Sequence, residues 1–116
     1  MCKWYYIAMP KDNVYRFDLD AHGFVIHAAP ELCDLLGLHF SRKCIPRFDS
    51  FIARESGTAF LQSALNAYRG VEVKRVLVTI ISKDGEKKYG YLSLEKSSVN
   101  DAGLVVGLHG KFELKF

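Results

Sequence analysis

The stretch from Tyr15 to Gly37 constrains the fold of this chain more than any other. Two β-type runs, Val14 to Asp18 and Phe24 to His27, flank the turn Asp20-Ala21-His22-Gly23. Gly23 can supply the positive φ that a tight hairpin demands. Pro30 then stands where the first turn of a helix tolerates a missing N–H. Leu32, Leu35 and Leu36 recur at i, i+3 and i+4 as one apolar face, and Gly37 is placed to close the C-terminus. A hairpin followed at once by a short, sharply ended helix is therefore predicted.

A strand, an acidic turn ending in Gly, a second strand, a small-residue step and a Leu-rich helix closed by Leu36-Gly37 together resemble the opening of a PAS domain. The step reads Ala28-Ala29-Pro30 where that family commonly has an Asn-Pro-Ala type sequence. The order of the remaining elements continues the resemblance. Residues 1–13, with Trp4, Tyr5, Tyr6 and Ile7, are expected to form an N-terminal cap segment, and 14–116 the domain proper. Between Leu38 and Ile52, Pro46 forbids one continuous helix, so short helical turns are expected.

Ser56 or Thr58 can cap a helix running to about Arg69, with Phe60, Leu61, Ala64, Leu65 and Tyr68 on one face. Val71 to Ser82 and Lys87 to Lys96 read as strands around a Lys83-Asp84-Gly85-Glu86 hairpin. After the turn Asn100-Asp101-Ala102-Gly103, Leu104 to Leu114 forms the last strand. The expected class is α+β: a PAS-like five-stranded antiparallel sheet, with short helices and one longer connecting helix on one face.

Length and composition exclude several alternatives. A chain of 116 residues, 49% hydrophobic and 25% charged, suits one globular domain. Its net charge of +3 is spread among acidic residues, so no nucleic-acid footprint emerges. Cys2, Cys33 and Cys44 have neither a disulfide framework nor metal-ligand spacing, which favours a reducing compartment. No apolar run has the length of a membrane span, and a cytoplasmic location without membrane insertion is the expectation.

The resemblance implies which residues face the interior. It puts Val76, Val78, Ile80, Gly90, Leu92, Leu94, Val105, Gly107 and His109 inward, where most of them, with Phe60 and Leu61, would contact a ligand. His109 resembles the position of a flavin-contacting Gln in the light-oxygen-voltage branch, and could hydrogen-bond a ligand; a histidine satisfied by nearby backbone is the alternative. The outward set would then be Leu77, Thr79, Ile81, Tyr89, Tyr91, Leu104, Val106, Leu108 and Phe112, too apolar to leave in water. Trp4, Tyr5 and Ile7, or a second copy meeting Tyr89, Tyr91, Val106 and Leu108, are expected to cover it. A homodimer is thus predicted.

By the same resemblance, the cysteine needed for a flavin adduct would fall near Phe48, and Cys44 lies a turn earlier. Residues 55–69 contain no histidine for haem, and no haem-attachment motif exists. Haem and adduct-forming flavin are therefore disfavoured, and the cofactor is left unassigned. No paired carboxylates, Ser/His/Asp set or metal spacing suggests an enzyme or a metal site.

The implied role is a signal-transduction sensor and dimerisation module that binds a small, mostly apolar ligand. It would regulate an attached or partner output domain of histidine kinase or diguanylate cyclase type. The alternative is a ligand-free interaction module whose cavity is filled by its own side chains, with Phe60, Leu61, Leu92 and Leu94 bulky enough to do so.

Overall fold

A computed structural model describes residues 13–38 and 45–115. Strands β1 (Val14–Asp20) and β2 (Val25–Ala28) form the expected hairpin. The Asp20 carboxylate fixes its turn by accepting the backbone N–H groups of His22 at 2.8 Å and Phe24 at 3.0 Å, while Gly23 takes φ 85°. Helix α1 (Pro30–Leu36) follows, with Pro at its start and Gly37 left-handed at φ 69°. These are the punctuation roles read from the sequence.

Two 3₁₀ turns, Phe48–Phe51 and Arg54–Ser56, lead into helix α2 (Gly57–Tyr68). Strands β3 (Val73–Ile81), β4 (Lys87–Val99) and β5 (Val105–Leu114) complete an antiparallel sheet in the order β2-β1-β5-β4-β3. The first and last strands are neighbours in the middle of the sheet, and the five-stranded antiparallel α+β arrangement is the one expected. The expected N-terminal cap residues Trp4, Tyr5, Tyr6 and Ile7 lie outside the described residues, as does Cys44.

Ser56 precedes α2 but does not cap it. Its hydroxyl accepts the buried Thr79 N–H at 2.8 Å, and Ala53 N–H donates to the Thr79 carbonyl at 2.8 Å. These bonds, with the Ile52–Ile80 bridge, cover one half of the exposed edge of β3. Ser56→Ala strands a buried N–H, so it is expected to cost about 1–3 kcal/mol, read as a lowered urea midpoint at unchanged slope. A loss below half a kcal/mol would show that water replaces the hydroxyl there.

The other half of that edge is guarded differently. A bulge between Val73 and Val76 puts Arg75 at φ 51°, an uncommon conformation for a side chain of this size. Its guanidinium lies 4.3 Å from the centre of the Tyr91 ring and pairs with Glu113. The irregular backbone at the bulge disfavours addition of another strand there.

Two faces differ from expectation. In α2 the buried residues are Phe60, Ser63 and Ala67, whereas Leu61 and Leu65 are 59% and 48% exposed. Ser63 can sit inside because its hydroxyl donates to the Ala59 carbonyl within the helix at 2.8 Å. In β5 the pairing Leu92 with Phe112 and Leu94 with Gly110 puts Leu108 and Phe112 in the core, both fully buried. From Gly107 to Leu114 the faces of β5 are the reverse of those expected, while Val105, beyond an irregularity in the ladder, meets the core as expected. The side rich in Leu108, Phe112 and Leu114 meets the helices; the side with His109, Lys111 and Glu113 faces away.

Candidate functional site

The space between sheet and helices is where a ligand was expected. Backbone bonds from Val25 N–H to the Pro46 carbonyl (2.8 Å) and from Phe48 N–H to the Gly23 carbonyl (3.1 Å) dock the segment before the first 3₁₀ turn onto the β1–β2 hairpin. They position Phe48, which is fully buried, against Phe17, with ring centroids 4.3 Å apart and planes 11° from parallel. Phe60 adds a third ring 5.6 Å from Phe48. Val78, Ile80, Leu92 and Leu94 are buried around this stack, and Val105 and Val76 are half-buried against the same core.

Two glycines make room for rings. A Cβ on Gly110 would lie 2.3 Å from the Phe17 ring, and one on Gly90 would lie 2.5 Å from the Phe112 ring. Of the expected ligand contacts, the interior thus gathers Val78, Ile80, Leu92, Leu94 and Phe60, with Val105 at its margin. It excludes Leu61, which turns outward from α2, and Gly107 and His109, which face the other side of the sheet. The sequence reading missed Phe17, Phe48 and Phe112. For Phe17 and Phe112 a signal was available in the two strand glycines: Gly110 pairs with Phe17, and Gly90 lies beside Phe112 on the neighbouring strand.

His109 is a correction in placement. Its side chain is 57% exposed on the outer face, where Nδ1 contacts the Asp18 carboxylate. His27 Nδ1 lies 3.8 Å from the other oxygen of the same carboxylate. His27, Asp18, His109 and Glu95 occupy one row across four adjacent strands. Arg16 and Lys111 pair in the next row. Among the described residues no group of three or more His, Cys, Asp or Glu is arranged to hold a metal.

The outer face is therefore polar along most of β1 and β5, and its apolar residues are Leu77, Ile81, Tyr89 and Tyr91 on β3 and β4, with Val14 at the start of β1. Of the residues expected to dimerise there, Tyr89 is 52% exposed and Tyr91 half-buried. Leu108 lies in the core and Val106 is half-buried; Trp4, Tyr5 and Ile7 fall outside the described residues. The expected outward set is reduced, because Leu108 and Phe112 lie in the core, while Leu77, Thr79, Ile81, Tyr89 and Tyr91 keep the outer face.

A cleft of about 490 Å³ opens instead beside α2. Leu61, Ala64 and Leu65 form one wall, and Ala21, Gly23, Ile52 and Ala53 the other. Tyr68 closes one end by donating its phenol to the Asp20 carbonyl; burial and the nearby Asp20 carboxylate push that phenol up from its ordinary value. At the rim, Arg47 reaches both Asp49 oxygens at 3.2 Å and lies 5.1 Å from the Phe24 ring centre. Arg54, on the same rim, forms no ion pair among the described residues. Cys33, half-buried on α1, has its thiol pushed up by burial, which keeps it in the unreactive protonated form.

No protein-family model matches the sequence, and no curated protein matches it. Solved structures do. A domain assigned to a light and redox sensing histidine kinase from Haloarcula marismortui aligns with a TM-score of 0.71 at 15% identity, covering 98% of this chain and 99% of that one. The PAS domain of a protein from Colwellia psychrerythraea gives 0.72 at 14% identity, over 98% and 96% of the two chains. The N-terminal domain of a diguanylate cyclase with PAS/PAC sensor from Marinobacter aquaeolei gives 0.66 at 13%, over 85% and 92%. Identities this low establish the shared fold, and they do so over nearly the whole of each domain.

Proposed function

We propose that this chain, whose fold is that of the PAS domains, is a non-catalytic signal-transduction module that works through protein contacts. It pairs with a second copy and regulates an output domain of histidine kinase or diguanylate cyclase type. The output classes are suggested by the proteins that carry the similar domains from Haloarcula and Marinobacter. No helix among the described residues is long and apolar enough to cross a membrane.

The observation that favours contact over ligand capture is the Phe17–Phe48–Phe60 stack, which puts three of the chain's own rings in contact within the core between sheet and helices. Close-packed interiors leave little volume for a guest. The reading as a sensor of a small, mostly apolar ligand keeps one observation in its favour. The cleft beside α2 is apolar, has the size of small-molecule sites, and includes Phe60 and Leu61. His109, on the outer face, is away from both places.

Native mass spectrometry of the purified chain, repeated after denaturation, separates the two. The expected spectrum is a dimer whose mass equals two chains. A stoichiometric small molecule released on unfolding would overturn the ligand-free form of the proposal and favour the sensor.

A further inference from the structure

Residues 95–104 are exposed without interruption. The β3 ladder ends where Val73 meets Leu94, and the β1 ladder ends where Asp20 meets Gly107. From Glu95 onward β4 is an edge while β5 still pairs with β1; past Gly107 the two strands continue alone for one rung, Val99 with Val105, and the turn, and this hairpin end is the β4–β5 arm. The turn at its tip is rigid: Asn100 N–H donates to the Leu104 carbonyl at 2.9 Å, and the Asn100 side chain accepts the N–H groups of Ala102 and Leu104, both at 3.0 Å. Gly103 supplies φ 82°.

This tip is apolar on both sides. Val99 is 49% exposed and Leu104 63%. Because Val99 opposes Val105, the neighbouring Leu104 projects to the other face of the ribbon. An apolar wedge of this kind loses exposed surface only between two walls. The cleft beside α2 has two apolar walls, with Leu61 and Leu65 left exposed on one of them. Charges agree as well: Asp101 lies at the tip between Val99 and Leu104, and the cleft rim carries Arg54, while Arg47 is already held by Asp49.

We propose that the β4–β5 arm of one copy seats in the α2 cleft of a second copy, with Val99 and Leu104 between the two apolar walls and Asp101 facing Arg54. Reciprocal exchange of two arms closes the assembly at two copies. The pre-formed turn lowers the ordering cost of docking. The contact rests on the homodimer proposed above and gives it a different surface from the outer sheet face.

Sedimentation velocity on the intact chain, from low to tens of micromolar, tests it with substitutions at residues that are exposed in the single copy. Leu104→Asp and Leu65→Asp are each expected to weaken association at least tenfold while leaving the thermal midpoint of the isolated copy within a few degrees. Asp101→Arg is expected to weaken it too, and Asp101→Arg combined with Arg54→Asp to restore it. A dimer indifferent to Leu104→Asp and Leu65→Asp overturns the arm-in-cleft contact and leaves the homodimer standing. A wild-type chain that stays monomeric overturns both. A small molecule seen by native mass spectrometry and lost on Leu65→Asp gives the cleft another occupant and overturns the arm.

Discussion

Gly110→Ala is expected to destabilise the chain by about 3 kcal/mol, near the upper end of overpacking costs, read as a fall in the urea midpoint. The cause is steric. Gly110 on β5 pairs with Phe17 on β1, and the Phe17 ring lies over it, so a new Cβ would meet ring carbons at 2.3 Å. Gly110 is not among the glycines with positive φ, which removes backbone strain as an explanation. Phe17 cannot swing aside freely because its other face is stacked on Phe48. Shortening the ring should therefore relieve the clash: in a Phe17→Leu background the same Gly110→Ala change is expected to cost at least 1 kcal/mol less. A single-mutant loss under 1 kcal/mol, or strict additivity of the two, would mean that the ring yields without cost.

The same pair shows what could be read from sequence. Element order was legible because turn chemistry is local: Gly23, Pro30, Gly37 and the Asn100–Gly103 turn each act within a few residues. The face assignment of β5 was not, because it was taken from a resemblance instead of from the strand's own pattern. Leu108, Phe112 and Leu114 alternate with His109, Lys111 and Glu113, and burial energetics alone would have turned the first set inward. Gly110 weakens that pattern by putting no side chain at an inward position, and its reason for being there, Phe17, lies 93 positions away in the chain.

Helix α2 failed differently. Leu61 and Leu65 share a helical stripe with Ala64 and Tyr68, and nothing local reveals that the sheet selects the neighbouring stripe of Phe60, Ser63 and Ala67. That choice is made by fit. Small residues at 63 and 67 let the helix approach the sheet, and the larger leucines are left to line the cleft. The bulge at Arg75 is likewise invisible in a run of β-branched residues, since it depends on Tyr91 and Glu113 from neighbouring strands.

Phe48→Ala is expected to cost about 3–5 kcal/mol, a large share of the 5–15 kcal/mol by which domains are ordinarily stable. Phe48 is fully buried and is the only ring of the stack that touches both others, so its removal leaves Phe17 and Phe60 facing a void. The functional consequence follows from the same geometry. If Phe48 occupies the place where a ligand would sit, the void should accept one: a cavity lined by aromatic and aliphatic side chains stays dry and binds small apolar molecules. Benzene or indole at millimolar concentration is expected to raise the thermal midpoint of Phe48→Ala and to leave the wild type unchanged, since a ligand stabilises only a state that binds it. Stabilisation of both proteins alike would place the guest elsewhere, in the cleft beside α2. Stabilisation of neither, with the full cost intact, would mean that the helices collapse onto the sheet once the ring is gone. Only the first outcome makes Phe48 a built-in occupant of the interior, and with it a module whose signal is carried by contact between chains.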